Sequence, residues 1–393
     1  MTSSELRRLV WIPVLAAACG GGPKATSLGA SGPNVLPISV NGDGCSANAY
    51  FNEPCVSVTV CVPGTSTCQT IGNLLLDTGS SGLRVFSQAL TLSLPAVAAP
   101  DGNPLAECVP FLDGATQWGP IVHADVVLGG EPAVTVPVQR IDAGFATRPS
   151  ACTGAQTDPA SAGYNGILGV QQWIEDCGAG CAATTSNNPY YSCGAACTQT
   201  VVPVASQVTN PVAMLPQDRN GVIVHLPAVA AGGAASASGQ LILGIGTRTN
   251  NVPPHSAVAY PLDNGGNLST SIGSGTVASF LDTGSNGIFF PPPTPALTTC
   301  PAPDASWFCP AAPVTVSATN IGAGGSPSGA VTFQITSLDA LPASVAVSSQ
   351  VGGPVVGTPT YVDYGLPFHL GRDVYVGIEG RASGLGIGPF VAY

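Results

Sequence analysis

A chain of 393 residues is long enough to bury one large core or two of ordinary size. Only 8% of residues are charged, 45% are hydrophobic, and the net charge is −11 with an isoelectric point near 4.5. These values exclude disorder along the whole chain and long surface helices rich in Glu, Lys and Arg. They also exclude nucleic acid and anionic membrane surfaces as partners, because no basic stretch exists to displace counterions.

In chain order, Arg7-Arg8 precedes "LVWIPVLAAACGGG", an apolar run ending in small residues, which reads as an export signal over 1–18. The run is too short to span a bilayer as a permanent helix. "LAAAC" resembles a bacterial lipoprotein signal with Cys19 as the lipidated residue, although Ala16 stands where Leu is commonest. Ordinary secretion is the alternative. Residues 20–40 are dominated by Gly, Ser, Ala and Pro, so 19–44 is expected to be a flexible tether.

Short strands are expected after it. "VSVTVCV" (56–62) and "TIGNLLLDTG" (70–79) flank a turn between Cys61 and Cys68. Further candidates are 121–130, 133–141, 221–226, 240–246, 330–335 and 374–379, whereas 175–199 and "PPPTP" (291–295) read as loops. Of thirteen cysteines, setting aside Cys19 leaves twelve, an even number suited to six disulfides in an oxidising compartment. Cys61/Cys68, Cys177/Cys181, Cys193/Cys197 and Cys300/Cys309 lie close in sequence, but spacing does not decide connectivity. A zinc site on Cys177, Cys181, Cys193 and Cys197 is the rival reading, and no His lies in that segment.

One pattern repeats. "LLLDTGSSGLRVF" (74–86) and "SFLDTGSNGIFF" (279–290) place two Asp-Thr-Gly-Ser turns 205 residues apart (282 − 77). Each is followed by a hydrophobic segment ending in glycine: "YNGILG" reaches Gly169, 92 residues beyond Asp77, and "LPFHLG" reaches Gly371, 89 beyond Asp282. A single such turn is unremarkable, since Asp and Gly favour turns. Two, each behind an apolar strand, imply duplicated lobes.

On these motifs the chain resembles the pepsin-like aspartic peptidases, and most closely an uncharacterised family of exported bacterial two-lobed proteins. The resemblance covers roughly 45–393, with 175–215 fitting poorly. It implies an all-β, bilobal acid-protease fold with two barrel-like lobes (45–246 and 247–393) around a central cleft. It implies Asp77 and Asp282 as the catalytic pair. Gly79 and Gly284 would bring backbone N–H groups to the carboxylates, and Ser80 and Ser285 would bond their outer oxygens. Thr78 and Thr283 would cross-link the two loops. Two facing carboxylates that share one proton supply both the base and the acid that water attack on a peptide requires.

The chain departs from that family at the flap, the hairpin that covers substrate. In "VPFLDGATQWGPIVHADVVLGG" (109–130), Leu112 stands where the family has Tyr, and Arg84 replaces the supporting Trp. An Arg84–Asp113 pair is expected to hold the flap at its Gly114 turn, with Phe111 or Trp118 capping the cleft. The expected function is an aspartic endopeptidase acting on an extended polypeptide, as a monomer with no cofactor and no metal. Its only membrane contact would be the Cys19 anchor, and no basic pro-segment suggests a zymogen. The alternative is a non-catalytic binding protein on the same fold. Glycoside hydrolysis has only the carboxylate count in its favour, and no nucleophile elbow supports a serine hydrolase. His123, His225, His255 and His369 show no metal-ligand spacing, and "GLGIGP" (384–389) lacks the helix a nucleotide loop needs.

Overall fold

The computed structural model describes residues 31–393 apart from 48, 294, 356 and 357. Export signal and Cys19 lie outside them. The chain is mainly β, with 41% strand and 8% helix, arranged as a closed six-stranded barrel and a half-barrel. Among the described residues no helix is long and apolar enough to cross a membrane.

Alternation builds the barrel. In Pro54–Cys61 the side chains of Val56, Val58 and Val60 are buried while Ser57 is exposed, the two-residue period of a strand with one face in the core. That strand pairs with Cys68–Asp77 across a turn clamped by the Cys61–Cys68 disulfide. Around the barrel follow Gly166–Val170, Ser81–Phe86, Val134–Ile141 and Thr116–Val127, and the last pairs back onto Pro54–Cys61 to close the ring. A seven-stranded sheet in the C-terminal half runs from Ser328–Ile335 through Gly275–Leu281 and Tyr361–Tyr364 to Gly352–Pro354. Its core is aromatic, with Phe290, Phe308, Phe333, Tyr364 and Phe368 packed at ring-centroid separations of 4.8–6.3 Å.

A third layer joins the halves. Val35–Val40, Ala237–Leu243 and Gly221–Leu226 continue into Arg372–Gly377, Phe390–Ala392 and Ala259–Pro261, so strands from both ends of the chain share one sheet. The tether expected over 19–44 is therefore corrected at Val35–Val40. There Leu36, Ile38 and Val40 alternate into the core, a short period masked by the surrounding Gly, Ser and Pro. The Cys-rich stretch 175–199 is likewise more than loop. It holds a helix, Ala179–Ala183, and a hairpin of Tyr190–Cys193 with Cys197–Gln199 that extends the sheet of Leu105–Pro110.

All twelve cysteines in the described residues are paired: Cys45–Cys55, Cys61–Cys68, Cys108–Cys152, Cys177–Cys181, Cys193–Cys197 and Cys300–Cys309. Pairing removes the thiolates that zinc would need, and it marks a chain that matures in an oxidising compartment.

Candidate active site

Each half places its Asp in the same way. The strand Cys68–Asp77 runs parallel to Gly166–Val170, with Leu76 opposite Leu168 and Asp77 opposite Gly169. In the other half Gly275–Leu281 runs parallel to Tyr361–Tyr364, with Leu281 opposite Tyr364, and the Asp282 N–H donates to the Tyr364 carbonyl. The residue facing Asp282 is thus Gly365, only 83 positions downstream (365 − 282). A Cβ on Gly169 would lie 2.6 Å from the Ser80 carbonyl oxygen, and one on Gly365 would lie 2.5 Å from that of Ser285. These two glycines let a strand press against its Asp-bearing loop. Gly371, expected in that role, instead makes the left-handed turn (φ +82°) between Leu366–His369 and Arg372–Gly377.

The two loops meet face to face. Thr78 N–H donates to Thr283 Oγ1 at 3.1 Å, and Thr283 N–H donates to Thr78 Oγ1 at 3.0 Å. The Thr78 hydroxyl then donates to Leu281 O (2.9 Å), and the Thr283 hydroxyl to Leu76 O (2.6 Å). All four groups are buried, so none can turn to water instead. Thr78→Val and Thr283→Val each strand a backbone N–H and a carbonyl. Each is expected to cost about 1–3 kcal/mol in urea unfolding, with the double variant losing less than the sum because the bonds form one network. Equal stability of wild type and both variants would show that the two loops are held together by other means.

Between the threonines the carboxyls of Asp77 and Asp282 face each other, each lying against the glycine of the other's turn. Asp77 Oδ1 accepts from Gly79 N–H (2.7 Å) and Oδ2 from the Ser80 hydroxyl (2.5 Å). Asp282 repeats the arrangement with Gly284 N–H and Ser285, both at 2.8 Å. Gly79 and Gly284 are needed for closeness: a Cβ on Gly79 would sit 2.7 Å from Asp282 Oδ1, and one on Gly284 2.9 Å from Asp77 Oδ1. Burial, then the charge of Asp77, then that of Asp363, raise the Asp282 carboxyl well above the usual carboxylate range. A like charge beside it thus favours the protonated form of Asp282.

A cleft of about 900 Å³ opens over the pair. Its apolar walls are Tyr50, Leu75, Phe111 and Tyr164 on one side and Leu268, Phe280 and Phe289 on the other. The flap is the hairpin of Leu105–Pro110 and Thr116–Val127, with Pro110 opposite Thr116. Its turn is held by the Phe111–Ala115 backbone bond, by Gly114 at φ +87°, and by Asp113 Oδ1 accepting from Ala115 N–H at 2.8 Å. Phe111 packs against the cluster of Leu75, Phe86, Ile141, Tyr164 and Ile167, and Leu112 is 70% exposed at the tip.

Two flap expectations are corrected. Arg84 does not meet Asp113. It is fully buried and bonds Glu107 (2.5 Å), Asp176 (2.8 Å) and Gln139 (2.9 Å), whereas Asp113 sits exposed at the hairpin turn and accepts from Ala115 N–H. Trp118 does not cap the cleft either. It faces the opposite side of the hairpin, donates to Phe145 O (2.8 Å), and packs edge-on to Tyr191.

Three neighbours of the carboxyl pair carried no motif to find them. Tyr50, from the loop before Pro54–Cys61, donates its hydroxyl to Gly284 O at 2.9 Å, and burial followed by the charge of Glu53 keeps that phenol protonated. Asn52 donates to Asn286 O and Ser348 O, stitching the same loop to the other half. Asp363 lies behind Ser285, whose hydroxyl is 2.6 Å from Asp363 Oδ2. Among the described residues the only trio of ligating side chains close enough to share a metal is Cys300, Cys309 and Asp339, and its cysteines are joined in a disulfide.

Fold and site together define a class: a two-lobed β-protein in which each half delivers one carboxyl to a facing pair under a hairpin-covered cleft. Residues 30–393 match the family described as "Protein of unknown function (DUF3443)", and the chain belongs to that family. No curated protein matches the chain significantly.

Proposed function

We propose that this chain is an aspartic endopeptidase that hydrolyses extended polypeptides through water activated by the Asp77–Asp282 pair. The observation that carries this reading is the doubled cradle: each carboxyl holds one glycine N–H and one serine hydroxyl, and reciprocal threonine bonds set their separation. The resemblance of both Asp-Thr-Gly-Ser motifs to the pepsin-like peptidases supports it. One carboxylate would take a proton from water as the other gives the shared proton to the carbonyl oxygen, so no cofactor is required.

The cleft volume suits several residues of a strand-like substrate, with backbone groups gripped by the flap and side chains in the apolar walls. Export by the residue 1–18 signal, anchoring through Cys19 and action as a monomer complete the proposal. The rival reading, a non-catalytic binding protein, draws on the flap, where exposed Leu112 offers no hydroxyl to a substrate. Incubating the purified protein with an unfolded protein between about pH 3 and 7, with and without pepstatin, separates the two. Cleavage that pepstatin blocks is the expected result, and tight peptide binding without cleavage at any pH establishes the binder.

A further inference from the structure

Ser285 has one hydroxyl hydrogen and two carboxyl oxygens competing for it: Asp282 Oδ2 at 2.8 Å and Asp363 Oδ2 at 2.6 Å. If both carboxyls were ionised, one short contact would be lone pair against lone pair. A proton must therefore sit on one of them.

The surroundings decide which. Asp363 lies on Tyr361–Tyr364 between Phe280 on one neighbouring strand and Phe289 on the other, in register with both and hence on the same sheet face. It is 4% exposed, and its Oδ1 has no hydrogen-bond partner. The titratable groups facing it are Asp282 and Asp77 across Ser285, and Tyr361 two residues earlier on its own strand; no Arg, Lys or His of the described residues forms an ion pair with it. An ionised Asp363 would hold an uncompensated charge with one bare oxygen, whereas a neutral one donates to Ser285 and leaves the serine hydrogen for Asp282.

The other half lacks this group. Ile167 occupies the matching place, between Leu75 and Arg84, and Ser80 serves Asp77 alone. We infer that Asp363 is a third, protonated carboxyl of the site and a positioning residue: it keeps the Ser285 hydroxyl donating to Asp282, and on ionising it takes that hydrogen for itself and sets a second negative charge beside the pair. Burial, with a smaller push from Asp77 and against the bond from Ser285, moves its carboxyl up to about 8. The device is thus intact in acid and lost as pH rises through that value. The same sign applies to folding: the proton contributes stability fully below the carboxyl's unfolded pKa, and that contribution disappears as pH climbs through the folded one.

The catalytic consequence rests on the peptidase reading, but the proton does not. A carbon-13 NMR titration of protein labelled at aspartate Cγ, from about pH 3 to 10, reads it directly in wild type, Asp363→Asn and Asp363→Ile. In wild type, two aspartates are expected to titrate above the exposed ones, Asp282 of the pair and Asp363, and the Asp282 signal should show a second inflection at the pH where Asp363 ionises. Asp363→Asn, whose amide still donates to Ser285, and Asp363→Ile, the residue of the other half, should each leave Asp282 as the one high-titrating aspartate and abolish its second inflection. Where hydrolysis is found, Asp363→Asn should retain rates within about threefold at pH 4 and lose proportionally less activity than wild type at pH 8. A wild-type spectrum in which every aspartate except Asp282 titrates below about pH 6 overturns the assignment, as does a second high-titrating signal, or a second Asp282 inflection, that survives in both variants. A titration as expected with no hydrolysis at any pH supports Asp363 and removes the peptidase reading instead.

Discussion

Asp77→Asn is expected to abolish pepstatin-sensitive hydrolysis, a loss of about 10²–10⁴-fold or more in kcat, while leaving the fold and its urea midpoint nearly unchanged. The amide keeps the size of the carboxyl; its one oxygen can still accept from Gly79 N–H, and its nitrogen can donate to the Ser80 hydroxyl oxygen once that hydroxyl turns its own hydrogen away. What it cannot do is share a proton with Asp282, because its nitrogen is a permanent donor and its oxygen a poor base. With Asp77 no longer able to ionise, Asp282 loses the like charge that helps raise it, so its titration should move down toward the usual carboxylate range. Asp282→Asn should be equally inactive, and the double variant no worse than either single one, since the two act as a unit. Full activity in either single variant would place the chemistry elsewhere.

Arg84→Ala is expected to cost about 3–5 kcal/mol of folding stability at pH 7, measured by denaturant unfolding, and clearly less at pH 4. Arg84 is the one cation between two buried carboxyls: Glu107, which stands on the flap strand, and Asp176, which also accepts from Tyr190 at 2.8 Å. Burial already raises Glu107, and Arg84 is the group that counters it. Deleting the guanidinium leaves two acids facing each other without a counter-charge. Acid protonates them and relieves the repulsion, so the deficit must grow with pH. Asp113→Ala should move stability by no more than about 0.5 kcal/mol, because Asp113 is exposed and bonds only its own turn. A large Asp113 effect with a small Arg84 effect would reinstate the pairing that the sequence suggested.

Much of the fold was legible because strand periodicity is local. Val56, Val58 and Val60 alternate in any context that buries one face, and the eight expected strands over 56–379 coincide with strands to within a few residues. Both cradles were legible too, since each carboxyl is bonded by residues two and three positions further along its own chain. Val35–Val40 was missed because its composition is that of a linker, and only its pairing with Ala237–Leu243, some two hundred residues away, shows it to be a strand.

By itself, then, the amino-acid order determined two lobes of short strands, two acid-bearing turns, and the groups that hold each acid from within its own turn. Only the tertiary structure decided who stands beside whom across the sheets. It put Glu107 and Asp176 around Arg84 in place of Asp113, turned Trp118 away from the cleft, and set Gly365 against the second turn where spacing had pointed to Gly371. That last shift of six residues is also what hid Asp363, which becomes visible only when "YVDYG" is laid against "YNGILG" in strand register. The physical reason is the same throughout: cross-strand neighbours follow from long-range register, and no local pattern of residue types encodes which distant strand will pair.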